Sequence, residues 1–246
     1  WRFSEMDVTI PLITGIISLV FAFMVLGQYR ERHKQYQLLW AIGLLLYAGA
    51  SILQGLWSLG VYAPSIFRFW YLFGAMLTAA YLGMGSLYLH IHTPKANIVM
   101  VGLVVFTLVS IFTALQTDLQ ANVSLLREQP LSSIVPDTDS LRYYPPTVSI
   151  LTICLNSFGA IALSGSAIWS SISYAMRKAP GYRVVSTFLI AVGSFISAAG
   201  GTFERFDVPQ PHNIALLIGV VLIFVGFLRS SEVFLDYRMP FVRRST

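Results

Sequence analysis

Seven apolar runs, each of about the 20 residues that a helix needs to cross a bilayer, dominate this sequence and leave room for little else. They lie at about 8–28, 37–59, 67–90, 98–115, 147–174, 183–201 and 214–234. Together they predict an all-α, polytopic membrane bundle of seven transmembrane helices, forming a single domain over residues 1–246. Of these residues 56% are hydrophobic and 11% charged, whereas a water-soluble domain carries about 25% charged residues. Lipid is the solvent that tolerates such a deficit. The segments between the runs are short except at 116–146, a long polar stretch holding Asp118, Arg127, Glu128, Asp137, Asp139 and Arg142. Glu5 and Asp7 stand where a secretory signal would carry positive charge, and no small-residue cleavage site follows the first run. It therefore reads as the first helix, with Pro11 tolerated in its opening turn.

An odd number of crossings puts the termini on opposite sides, and the loop charges choose between the two arrangements. Arg30, Arg32, Lys34, Lys95, Arg177, Lys178, Arg183, Arg229, Arg238, Arg243 and Arg244 share one side with the acids Glu31, Glu232 and Asp236. Arg2, Arg68, Arg127, Arg142 and Arg205 share the other with all the remaining acids. Basic residues are retained in the cytoplasm, which predicts an outside N-terminus, a long outer loop at 116–146 and a cytoplasmic C-terminus. The formal net charge of +5 thus belongs to membrane orientation rather than to nucleic-acid binding, because the bases sit beside apolar runs and not on one polar face. Trp57, Tyr62, Trp70 and Tyr71 fall near the expected outer boundary, and Tyr29, Trp40, Tyr88, Trp169 and Tyr174 near the inner one, the depth that amphipathic rings prefer.

The runs contain no Asp, Glu or Lys away from their ends. Pumps, ion-coupled transporters and voltage sensors are built on intramembrane charge, so this interior disfavours them. Retinal proteins share the topology and hold their chromophore through a lysine in the last helix. Here the lysines are Lys34, Lys95 and Lys178, and the last run offers no amine. The Asp-Arg-Tyr and Asn-Pro-x-x-Tyr signatures of G-protein-coupled receptors are also missing, with Leu89-His90-Ile91-His92 standing at the end of run 3. His90 and His92, two apart, do not share a helical face, and His33 and His212 belong to opposite sides. Neither a metal site nor a facing histidine pair for haem is therefore expected. No phosphate-binding loop, His-Glu-x-x-His or nucleophile elbow occurs, and the chain reads as a non-enzyme. Cys154 is the single cysteine, so no internal disulfide forms, and Asn122-Val123-Ser124 fits a glycosylation acceptor in the long loop.

Small residues recur every fourth position: Ala75, Ala79 and Gly83 in run 3, Ala162, Ser166 and Ser170 in run 5, and Gly193, Ser197 and Gly201 in run 6. Such stripes let helices approach closely in lipid, either within one bundle or between copies. The polar groups inside the runs are few. Gln54 and Asn156 both fall toward the outer side, where Arg68 and the acids Glu204 and Asp207 also lie. These residues predict an outward-opening cavity walled by Gln54, Trp57, Tyr71 and Asn156 and capped by a pair between Arg68 and Glu204 or Asp207. The alternative is a set of ordinary interhelical hydrogen bonds.

The segment Arg68-Phe69-Trp70-Tyr71-Leu72-Phe73-Gly74-Ala75, with Tyr81-Leu82-Gly83-Met84-Gly85, resembles the third helix of uncharacterised bacterial seven-helix membrane proteins. Gly200-Gly201-Thr202 and Ile223-Phe224-Val225-Gly226-Phe227 resemble their last two helices, and the general plan is similar to the seven-helix sensor regions that precede bacterial histidine kinases. The resemblance implies a bacterial plasma-membrane protein with a sensor or accessory role. The function expected is a non-enzymatic, sensor-like bundle binding a small apolar or amphipathic ligand, surrounded by membrane lipids. The alternatives are a structural or accessory subunit of a larger membrane complex, a homo-oligomer included, and, less favoured, a transporter or channel.

Overall fold

The structure, a computed structural model, describes residues 5–117, 131, 146–178, 180–203 and 211–230. Within them are seven helices long and apolar enough to cross a membrane, and no strand. They are α1 (Glu5–Arg32), α2 (Gln35–Ser58), α3 (Pro64–His90), α4 (Thr93–Gln116), α5 (Pro146–Met176), α6 (Gly181–Phe203) and α7 (Pro211–Ser230). Most run a turn or so beyond the apolar runs, because interfacial polar residues continue a helix that hydropathy alone would end. Proline stands in the first turn of both α3, at Pro64, and α4, at Pro94, where its missing N–H is one the helix would leave unpaired anyway. The predicted residues 231–234 of the last helix lie outside the described residues.

Helices α1, α2, α3, α5, α6 and α7 form a closed ring: neighbours in that order pack together, and α7 returns to α1. The return contact is aromatic, with Phe21 of α1 against Phe224 and Phe227 of α7 at centroid distances of 4.8 and 5.0 Å. Helix α4 stands outside the ring against α3 and α5, and turns large side chains such as Ile98 (73% exposed) and Phe112 (61%) outward. A surface of that kind is stable against acyl chains and not against water.

Two crossings set the ring's geometry. At the first, Gly83 of α3 and Gly159 of α5 bring the backbones together. A Cβ on Gly83 would lie 2.7 Å from the Gly159 carbonyl oxygen, and one on Gly159 would overlap the Ala79 carbonyl. At the second, a Cβ on Gly193 of α6 would lie 2.6 Å from the Gly219 carbonyl oxygen of α7, and one on Gly219 would overlap the Ser197 hydroxyl. The stripe residues Ala79 and Gly83 thus face α5, and Gly193 and Ser197 face α7. Gly201 belongs to the last turn of α6, in the stretch 200–203 where only the backbone is described.

Helix α3 is not uniform. Over Tyr71–Thr78 it widens into a π-helical stretch, and the Thr78 hydroxyl donates to the Phe73 carbonyl five residues back, at 2.7 Å. Each residue inserted into an α-helix turns everything beyond it by about 100°. From this stretch Tyr71, Gly74, Ala75 and Thr78 line the inner wall of the ring, with Trp70 just before them and Ala79 just after.

Candidate functional site: a cavity inside the helix ring

The ring encloses a cavity of about 560 Å³. All six ring helices line it, and no described residue of α4 does. Its wall is mainly apolar, with Phe21, Leu44, Val220 and Ile223 packed together in one part of it and Leu163 also in the lining. Leu131, from the α4–α5 connection, is fully buried and closes part of the wall.

Polar side chains are set into this wall in pairs, as an apolar interior demands. Gln54 of α2 donates from Nε2 to Oδ1 of Asn213 on α7 at 2.8 Å, both residues being buried. One helical turn or two away, the Tyr47 hydroxyl donates to the Leu216 carbonyl at 3.1 Å. Helix α2 thereby reaches α7 through long polar side chains. On the facing wall the Thr152 hydroxyl of α5 lies 3.2 Å from the Tyr71 hydroxyl, and the Asn156 carboxamide donates to the Ala75 carbonyl inside the π-helical stretch. Between α5 and α6 the hydroxyls of Ser164 and Ser194 meet at 3.2 Å. Among the described lining residues there is no Asp, Glu, Lys or Arg, so the cavity suits an uncharged and largely apolar occupant. Among the described residues no group of three His, Cys, Asp or Glu side chains is placed to hold a metal ion.

Of the residues that sequence marked for a ligand, Gln54, Tyr71 and Asn156 line the cavity together. Trp57 does not: it is wholly buried in the apolar core beside Tyr62, edge-on at 5.1 Å, and Phe67 at 6.2 Å. Arg68 also stands off the cavity and donates from Nη2 to the Thr117 carbonyl at 2.7 Å, just past the end of α4, where a cation complements the helix dipole. Glu204 and Asp207, its expected partners, lie outside the described residues. Tyr47, Asn213 and the wall hydroxyls were missed, because nothing local separates a serine facing a cavity from one bonded to its own helix.

A smaller recess of about 340 Å³ lies at the end of the bundle where α1, α3 and α5 finish and α2 and α6 begin, with Arg32, Ser86, His90, Ser170, Tyr174 and Arg183 in its lining. Sequence reading left His90 at the interface without a role. It bridges helices instead: Nδ1 donates to the Ser86 carbonyl at 2.9 Å, which leaves Nε2, in the neutral ring, to accept from the Ser170 hydroxyl at 2.8 Å.

Comparison of the chain with family models, with curated proteins and with solved structures finds no match. What the architecture defines is a class: an all-helical protein whose described residues include seven helices long and apolar enough to cross a membrane, six of them ringed about a central cavity.

Proposed function

We propose that this protein is a non-enzymatic membrane binding protein, sensor-like in action, that holds a small apolar or amphipathic molecule in its central cavity. The observation that carries the reading is the cavity itself, about 560 Å³ inside a closed helix ring, with few polar tethers and no charged lining among the described residues. Ligand sites are enclosures of about 300–1,000 Å³ with mainly apolar walls and a small number of placed polar groups. The bridge from α2 to α7 through Tyr47 and Gln54 gives an occupant a means of signalling. A molecule that displaces either bond changes how α7 sits, and α7 carries Arg229 at the end of the bundle rich in lysine and arginine. That end, with Arg30, Arg32, Lys34, Lys95, Arg177, Lys178 and Arg183 among the described residues, is the cytoplasmic one in this proposal, and a bacterial plasma membrane is its setting.

Native mass spectrometry after mild extraction tests the reading, with Gln54→Leu/Asn156→Leu as the comparison. Loss of a co-purifying small molecule in a folded double variant supports it. Identical occupancy, or an empty wild-type bundle that binds no amphiphile on addition, overturns it. Impermeant maleimide labelling of Glu5→Cys and Lys178→Cys in a Cys154→Ser background tests orientation: on intact cells only the first is expected to react.

A further inference from the structure

The two cavities share a wall. Trp40, Ser86 and Ile190 line both the central cavity and the smaller recess at the basic end. The Trp40 indole in this shared wall is held against α3: its Nε1–H points at the Leu82 carbonyl (3.2 Å) and the Ser86 hydroxyl (3.3 Å), and Tyr36 meets it edge-on at 5.3 Å. Three side chains therefore stand between an uncharged chamber and a recess of opposite character. The recess has Arg32 from the end of α1 and Arg183 from the first turns of α6, with His90, Ser170 and Tyr174 between them and no acidic residue among its described lining. Glu31 is an exposed neighbour of Arg32 in sequence, outside that lining, and Arg183 also contacts the Tyr182 hydroxyl and ring. Helices α1, α3 and α5 end here, and their carbonyl ends disfavour anions. Each amounts to about half a charge, and the last-turn carbonyl of Ser86 is already occupied by His90. Two full guanidinium charges outweigh them.

We propose that the two cavities form one site for a single-chain anionic amphiphile, with a phosphate or carboxylate head on Arg32 and Arg183 and its aliphatic chain in the central cavity past Trp40. The proposal rests on the central cavity being a binding site and adds the chemical class of its occupant. Guanidinium forks match the planar or tetrahedral oxygens of such heads. Tyr174 supplies a neutral hydroxyl beside them, and the apolar chamber removes the chain from competition with bilayer lipid by shape.

The test titrates the full-length protein in neutral detergent with four probes: palmitoyl lysophosphatidate, palmitate, monopalmitin (the same chain without charge) and inorganic phosphate. The proposal expects lysophosphatidate and palmitate to bind about tenfold tighter than monopalmitin, the size expected for two part-exposed charge-assisted contacts. The preference should fall at high salt, vanish in Arg32→Gln/Arg183→Gln, and return in large part in Arg32→Lys/Arg183→Lys. Unchanged monopalmitin affinity in the Gln variant shows that the fold and the central cavity persist. Equal binding of all three amphiphiles, with no response to the Gln substitutions, overturns the head-group site and leaves the central cavity standing. Tight binding of inorganic phosphate with no gain from the chain overturns the single amphiphile site in favour of a free-anion site. Failure of every amphiphile overturns both the proposal and the cavity reading beneath it.

Discussion

The Gln54 carboxamide on α2 and the Asn213 carboxamide on α7 meet at 2.8 Å inside the bundle, although α1 lies between their helices in the ring. Two amides so placed can hold each other across an apolar space at full hydrogen-bond strength, and they constrain the one pair of helices that a central occupant would most readily separate. A double-mutant cycle with Gln54→Leu and Asn213→Leu, read from unfolding in mixed micelles, should return a coupling of about 0.6–1.7 kcal/mol, the range seen for interhelical hydrogen bonds in membranes. A coupling of zero would mean that the pair contributes nothing to holding α2 and α7.

Asn156 secures the opposite wall. Its carboxamide donates to the Ala75 carbonyl within the π-helical stretch Tyr71–Thr78. Replacing it with Leu should lower stability by about 1 kcal/mol. Hydrogen exchange should quicken over residues 71–79 while α1 and α7 keep their protection. Uniform acceleration throughout the protein would instead make Asn156 a general packing residue.

Glycines in the same helix should respond in opposite directions. Gly159→Ala places a methyl group into the Ala79 carbonyl of α3, whereas nothing lies within 4 Å of a Cβ on Gly165. The first substitution is expected to cost about 1–3 kcal/mol by forcing the α3–α5 crossing apart. The second should leave stability unchanged or raise it by up to about 1 kcal/mol, since alanine is the better helix former. Thermal unfolding of the two variants in the same detergent distinguishes them, and equal midpoints would contradict the observed crossing.

Trp40 is expected to govern exchange more than affinity. Trp40→Ala opens the boundary between recess and chamber, so a bound single-chain amphiphile should leave several-fold faster, most affinity and lifetime changes at one site residing in the off-rate. Stopped-flow displacement measures this directly. An unchanged off-rate would place the route of access elsewhere, between helices.

Much of the fold was legible because lipid imposes it residue by residue. Any run of some 20 apolar residues must satisfy its backbone internally, so the runs around Leu44, Val105 and Ile223 had to be helices whatever their neighbours. The stripe at Ala79 and Gly83 announced a close approach, but not that Gly159 would be its counterpart, since spacing along one helix carries no record of which helix crosses it. The candidate site was legible only where a strongly polar side chain stood out in an apolar run, as Gln54 and Asn156 do. Trp57 was expected in the cavity wall, whereas its ring is buried beside Tyr62 and Phe67, neighbours that the pattern of its own helix does not specify.

Composition and pattern alone determined the number of helices, their lengths to within a few residues, the concentration of basic residues in particular loops, and an interior without lysine or acid. Those properties are local, each set by what lipid or water does to one segment. Only the tertiary structure decided that α4 stands outside a ring of six, that α3 widens at Tyr71–Thr78, and that Trp40, Ser86 and Ile190 line both a basic recess and an uncharged chamber. These depend on pairs of residues far apart in the chain, and so on a choice of neighbours made once for the whole bundle by the fit of its surfaces.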